Sequence, residues 1–236
     1  MMLHTELHQI VPSHFNHHKL SIADQHQHQH HHPHPHPHPH PHLGGLTVKD
    51  SKALLHLIQS CGKQRDLIKL RRIHARILLH DAQLFERDIF VCNALLSTYM
   101  RCSALSEAHD LFDNLPQRNV VTWNALISGY AQHGHDNEAI DCFKQMRDEG
   151  VLPNEVTYIS VLKSCASKRC VELGEEICLE VMKKGLLRDI VLGTCIVDMY
   201  ARCDMMNKAQ EVFRKLPKHD VVAWNVLISG YAQHGL

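Results

Sequence analysis

Across 236 residues the chain carries 25 basic and 25 acidic side chains, a formal net charge of zero, with 44% hydrophobic residues. That balance excludes the strongly basic footprint of a protein that grips nucleic acid by bulk charge. The sequence holds no 18-residue apolar run, so no helical membrane span and no membrane partner are expected, and its nine cysteines form no C-x-x-C pair that would hold zinc.

Residues 1–50 differ in kind from the rest. Fifteen of the 23 histidines precede residue 43, ten of them in the tract 26–42 with its alternating His-Pro run. Each proline removes a backbone donor and disfavours the α region at the residue before it, so this segment is expected to be an extended, disordered tail. Histidine tracts can hold divalent metals. Low-complexity drift accounts for this one more simply, and neither a metal site nor a cofactor is expected. His4 and Glu6 form an H-x-E with no P-C-x-x-C after it, so there is no deaminase zinc site. The tail has no arginine, carries Glu6 and Asp24 and is poor in serine, unlike a typical transit peptide.

From residue 51 onward the chain is repetitive. Residues 120–135 (VVTWNALISGYAQHGH) return as 221–236 (VVAWNVLISGYAQHGL) with thirteen of sixteen positions identical, at an offset of 101 residues. A fixed period is the signature of a repeat architecture. The offset divides further: 89–119 matches 190–220, leaving 120–154 and 155–189 between them, and 51–88 resembles 155–189 with Ser60-Cys61 falling on Ser164-Cys165. The expected units are 51–88, 89–119, 120–154, 155–189, 190–220 and the incomplete 221–236.

Each complete unit reads as a helical hairpin. In 120–154, Leu126, Ile127, Tyr130 and Ala131 make one apolar helical stripe, which Gly134 ends. Ala139, Ile140, Phe143 and Met146 make a second, closed by Gly150 and Pro153. Second helices share an Ala-x-x-x-Phe pattern at Ala108/Phe112, Ala139/Phe143 and Ala209/Phe213, with Ser106, Asn137 and Asn207 as expected N-caps. Cys102 recurs as Cys203 and Cys61 as Cys165, which marks packing positions for reduced thiols. Trp123 and Trp224 are expected in the core. Stacked hairpins of this kind make an all-α solenoid. The last unit stops after one helix, as a truncated product of a longer array would.

These units resemble pentatricopeptide repeats in the plant arrangement that alternates 35-residue P, longer L and 31-residue S motifs. Segments 51–88 and 155–189 resemble L motifs, 89–119 and 190–220 S motifs, and 120–154 a P motif that 221–236 begins again. The resemblance implies a right-handed α-solenoid of helix-turn-helix repeats of 31–38 residues. It also implies sequence-specific binding of single-stranded RNA at one base per repeat. In the family the fifth and last residues of a motif read the base: here Asn93 with Asn119, Asn124 with Asn154, Thr194 with Asp220, and Asn225 without its partner. The second residues, Phe90, Val121, Val191 and Val222, are those that sandwich bases.

Elementary chemistry agrees with such a code. Uracil and guanine present an imino N–H that an acceptor-only Asp satisfies, whereas cytosine and adenine present a bare ring nitrogen that suits the Asn amide. With the family rule that a fifth-position Asn favours pyrimidines and Thr purines, the expected footprint is 5′-pyrimidine, pyrimidine, any, G, pyrimidine-3′, with C over U at the first two. Leu55 and Ile159, fifth in the L motifs, cannot read a base. Either their bases go unread or, as the resemblance implies, those motifs contact editing-complex proteins.

The resemblance thus implies a mitochondrial or chloroplast RNA-binding specificity factor, mitochondrial by preference, in C-to-U editing, with no catalysis of its own and no deaminase-like domain. The alternative is a protein-interaction solenoid of the tetratricopeptide type. Its 34-residue period, and its small residue where Met146 stands here, argue against it.

Overall fold

The protein, seen in a computed structural model, is described over residues 51–81 and 83–235. The expected tail and the histidine tract lie outside the described residues. Twelve α-helices are described: α1 (Ser51–Gln64), α2 (Leu67–His80), α3 (Leu84–Arg87), α4 (Ile89–Arg101), α5 (Leu105–Asp113), α6 (Val120–Gln132), α7 (Asp136–Asp148), α8 (Glu155–Lys168), α9 (Val171–Lys183), α10 (Ile190–Arg202), α11 (Met206–Lys215) and α12 (Val221–Gln233). There is no strand among the described residues. The extra length of 51–88 and 155–189 goes into α3 and into a single 3₁₀ turn, Leu186–Arg188, each leading into the next first helix.

The helices form two layers. First helices α1, α4, α6, α8, α10 and α12 each pack on the next in series. Second helices α2, α5, α7, α9 and α11 each lie across their own first helix and the one that follows. Because every hairpin leaves an apolar flank that only its neighbour covers, the core runs unbroken along the array. Trp123, Phe143 and Met146 are fully enclosed in it, and Trp123 meets Phe112 edge-on with centroids 4.6 Å apart. Ala108, Ala139 and Ala209 are buried one turn before the phenylalanines on the same helix face, as the pattern requires.

Trp224 departs from expectation. It packs edge-on against Phe213 but stands half exposed, since among the described residues no second helix follows α12 to cover it.

Why the sixteen-residue stretch recurs is visible in its docking. His133 Nε2 donates to the Met100 carbonyl at 2.7 Å, and His234 Nε2 donates to the Ala201 carbonyl at 3.0 Å, each reaching the end of the preceding first helix. Gly129 sits so close to Met100 that a Cβ would come within 2.5 Å of the methionine side chain. In the second copy, a Cβ on Gly230 would lie 2.9 Å from the Ala201 Cβ.

The hairpin turns correct one expectation. Ser106, Asn137 and Asn207 are not caps: helices α5, α7 and α11 start earlier, at N-cap residues Ala104, His135 and Met205 that make no side-chain cap hydrogen bond. These turns are too tight for a separate cap. The Ala104 N–H donates to Tyr99 O, His135 N–H to Tyr130 O and Met205 N–H to Tyr200 O, at 3.0, 3.0 and 2.9 Å. The residue before each, Ser103, Gly134 or Asp204, is left-handed. This is a Schellman closure of the first helix, and its last residue doubles as the start of the second.

Buried cysteines fill the role the repeat assigned them. Cys61 and Cys165 are fully enclosed, and burial pushes the Cys165 thiol up to about 12. Burial raises Cys142 and Cys178 similarly, which keeps them protonated and unreactive.

His74, on α2, contacts the Tyr99 hydroxyl through Nδ1 at 2.9 Å and packs edge-on to Phe85. Burial pushes its pKa down to about 4, so it stays neutral in the fold. Between that value and about 6.5 the unfolded chain binds the extra proton, so stability falls as pH drops through this window. The loss attributable to His74 should approach ~3 kcal/mol near pH 4. Urea unfolding of wild type and His74→Gln at pH 7.5 and 4.5 isolates it: the difference between the two proteins should shrink at the lower pH.

Candidate functional site

The first-helix layer carries the expected site residues, and their placement follows from how each helix starts. The last residue of one segment is the N-cap of the next first helix. Asn119 Oδ1 accepts from Val121 N and Thr122 N, both at 3.0 Å, and Thr122 Oγ1 accepts from Asn119 N at 3.2 Å. Asn154 and Thr157 repeat this capping box on α8, at 3.2 and 3.1 Å. Asp220 caps α12 by accepting from Ala223 N at 2.8 Å. Capping is a sufficient local reason for Asn or Asp at these places.

The fifth residue of each segment lies one turn into its own first helix, and at Asn93 and Asn124 it reaches the cap of the next. Asn124 Nδ2 donates to Asn154 Oδ1 at 3.0 Å, across 30 positions of sequence. Asn93 Nδ2 points the same way at Asn119 Oδ1, at 3.5 Å. The structure therefore joins two of the expected pairs.

In both pairs the cap's oxygen is committed to the helix start and to the neighbouring amide. Its NH₂ end is left to face outward as a donor. At Asp220 the equivalent group can only accept.

The other two positions differ. No hydrogen bond joins Thr194 to Asp220; the Thr194 hydroxyl oxygen is buried without a partner. Asn225 stands exposed at the matching place on α12. Leu55 and Ile159, fifth in their segments, pack against the core and offer no polar atom.

Flanking the pairs is a row of exposed apolar side chains at the second position of the first helices from α4 onward. Phe90, Val121, Val191 and Val222 are each half to three-quarters exposed. Val156, which sequence reasoning passed over, completes the row between Val121 and Val191 and is equally exposed. Large apolar groups at one repeated place in solvent, beside polar pairs, form a series of slots that suit flat, partly apolar ligands with hydrogen-bonding edges.

Sequence reasoning also missed Thr122 and Thr157. Both are fully buried, and their hydroxyls donate to Asn93 Oδ1 at 2.7 Å and to Asn124 Oδ1 at 2.6 Å. Their recurrence at the third position was the available signal.

Comparison with known proteins identifies the repeats. A model described as PPR repeat family matches residues 118–167, and the PPR repeat model matches 90–120, 156–186, 194–221 and 222–236; together they cover more than half the chain. A chloroplastic pentatricopeptide repeat-containing protein of Arabidopsis thaliana is 32% identical over 188 residues, covering 80% of this chain and 30% of the relative. A mitochondrial one from the same plant is 38% identical over 177 residues, covering 75% and 28%.

The chain thus spans less than a third of these relatives' length. Among solved structures, maize pentatricopeptide repeat protein PPR10 aligns with a TM-score of 0.61 at 21% identity, over 79% of this chain and 28% of that one. PPR10 in complex with an 18-nt psaJ RNA element aligns with a TM-score of 0.62 at 17% identity, with the same coverage. These likenesses identify the solenoid fold.

Proposed function

Since this chain belongs to the pentatricopeptide repeat family, we propose that its first-helix layer binds single-stranded RNA, one base per repeat. The observation that carries the reading is the pairing of fifth and last residues across repeats, Asn93 with Asn119 and Asn124 with Asn154. Each base lies between successive second-position side chains, and its Watson–Crick edge meets one pair. Two Asn pairs offer donors and select C over U. Thr194 with Asp220 selects G, whose imino proton the carboxylate accepts. Leu55 and Ile159 leave their bases unread, and the repeats that carry them hold partner proteins of an editing complex.

The array is of the P-L-S class, and its role is that of a specificity factor in organellar C-to-U editing, with chemistry supplied by another domain or protein. Support for an organelle comes from relatives named chloroplastic and mitochondrial. Support for RNA comes from the RNA complex of a structural neighbour with the same fold.

Near-neutral charge makes a further point. Affinity rests on stacking and edge contacts rather than on phosphate neutralisation, so binding should survive physiological salt. Selection from a randomised single-stranded RNA pool at near-physiological salt tests the proposal. Enrichment of 5′-pyrimidine, pyrimidine, any, G, pyrimidine-3′ is the expected outcome. A folded protein that enriches nothing would overturn it.

A further inference from the structure

The two reading asparagines are not free to choose which end of the amide they present. Asn124 Oδ1 accepts from the Thr157 hydroxyl at 2.6 Å while its Nδ2 donates to Asn154 Oδ1 at 3.0 Å. Thr157 has one hydroxyl proton to give. Asn154 Oδ1, 3.1 Å away, already accepts from the Thr157 and Asn124 N–H groups, so the shorter contact to Asn124 takes that proton. The same hydroxyl accepts from Asn154 N at 3.1 Å, which fixes its rotamer and completes its bonding.

Thr122 stands in the same relation to Asn93 and Asn119, at 2.7 and 3.2 Å. Both threonines are fully buried. Where the fifth residue is Thr194 instead of Asn, the corresponding third residue is Ala223, and the Thr194 hydroxyl is left unpartnered.

From this we infer that the third residue of the following repeat, Thr122 or Thr157, is a positioning residue for base selection. Its hydroxyl locks the fifth-position amide with the oxygen turned inward and an N–H turned outward, so the pair offers donors. The reading unit is then three residues drawn from two repeats. Without that hydroxyl the amide is held only by its N–H bond to Asn154 Oδ1, so a 180° rotation that offers its oxygen to the imino proton of uracil gives up one hydrogen bond instead of two. Discrimination between the two pyrimidines therefore depends on a side chain that touches neither.

This inference rests on the RNA reading above, and the test separates the two. Full-length Thr157→Val and Thr157→Ser proteins are titrated with RNAs that carry C or U at the second base of the footprint. The side-chain amide signals of Asn124 are followed by NMR in the absence of RNA. Wild type and Thr157→Ser should keep about a tenfold preference for C, while Thr157→Val falls to within about threefold of parity. In Thr157→Val the Asn124 amide protons should also lose their slow exchange.

A gain-of-function arm avoids any loss of stability. Ala223→Thr added to Thr194→Asn should lower the preference for U over C several-fold relative to Thr194→Asn alone, because the added hydroxyl holds the new amide with its N–H outward. If Thr157→Val weakens both RNAs equally and keeps its preference, the threonine only supports the helix cap and the inference is overturned. Unchanged Asn124 amide signals in Thr157→Val overturn it as well. A wild type without base preference would defeat the RNA reading itself, and the amide signals would then decide the positioning claim alone.

Discussion

Truncating Trp123 to alanine should cost the array about 3–5 kcal/mol, close to the whole stability of many domains this size. Trp123 is fully enclosed between α6 and its neighbours, with Phe112 meeting it edge-on at 4.6 Å. The Arg118 guanidinium also lies over the Phe112 ring, 4.5 Å from its centre. Arg118 is anchored in turn by Glu149 at 2.9 Å. Removing the indole would open a cavity at the junction of two repeats, and each repeat in a solenoid is stabilised chiefly by its neighbours.

Trp123→Phe should cost much less than the truncation. The indole N–H is buried without a partner, so deleting it relieves a penalty of roughly 1–3 kcal/mol while the ring contact is kept. At the matching position of the second copy, half-exposed Trp224→Ala should cost under about 1.5 kcal/mol. Urea midpoints of the three variants should rank in that order; equal losses at Trp123 and Trp224 would contradict the packing described.

Thr194→Asn should move the base selected by segment 190–220 from G to U, with a swing of at least about tenfold, or about 1.4 kcal/mol. The Asp220 carboxylate, which caps α12 through Ala223 N, is unchanged, so an imino N–H on the base is still required. Both G and U provide one. What changes is the fifth residue: the longer, polar Asn takes the space a purine would fill. Because Thr194 is buried with an unsatisfied hydroxyl, the substitution should alter recognition more than folding. RNA selection with the variant reads the change directly. Retention of G would sever the link between this side chain and the base.

Much of the fold could be read without coordinates, because a repeat prints its packing several times. The stripe at Leu126, Ile127 and Tyr130 and the Ala-x-x-x-Phe of each second helix reported the two buried faces, and the structure buries them. Second-helix starts were misread for a physical reason. Ser106, Asn137 and Asn207 are residues that ordinarily cap, but a turn closed by backbone bonds leaves no room for a side-chain cap.

Of the site, the pairing of Asn93 with Asn119 and Asn124 with Asn154 was legible only through family resemblance, since nothing local says that residues 26 or 30 apart will touch. Thr122 and Thr157 stayed hidden because a buried threonine at a helix start is fully explained by its capping box. Their second bond, to the preceding repeat, belongs to tertiary structure.

Whether one residue pair reads one base is tested most directly by a four-way cycle at Asn154. Asp caps helices as well as Asn, and Asp88, Asp189 and Asp220 do so here. Asn154→Asp should therefore leave stability within about 0.5 kcal/mol and exchange only a donor edge for an acceptor. Wild type and Asn154→Asp are each titrated with RNAs carrying C or U at the second base of the footprint. Wild type should favour C and the variant U, with a coupling of about 1.4 kcal/mol or more across the cycle. Parallel affinities, with both proteins ranking the two RNAs alike, would contradict the account.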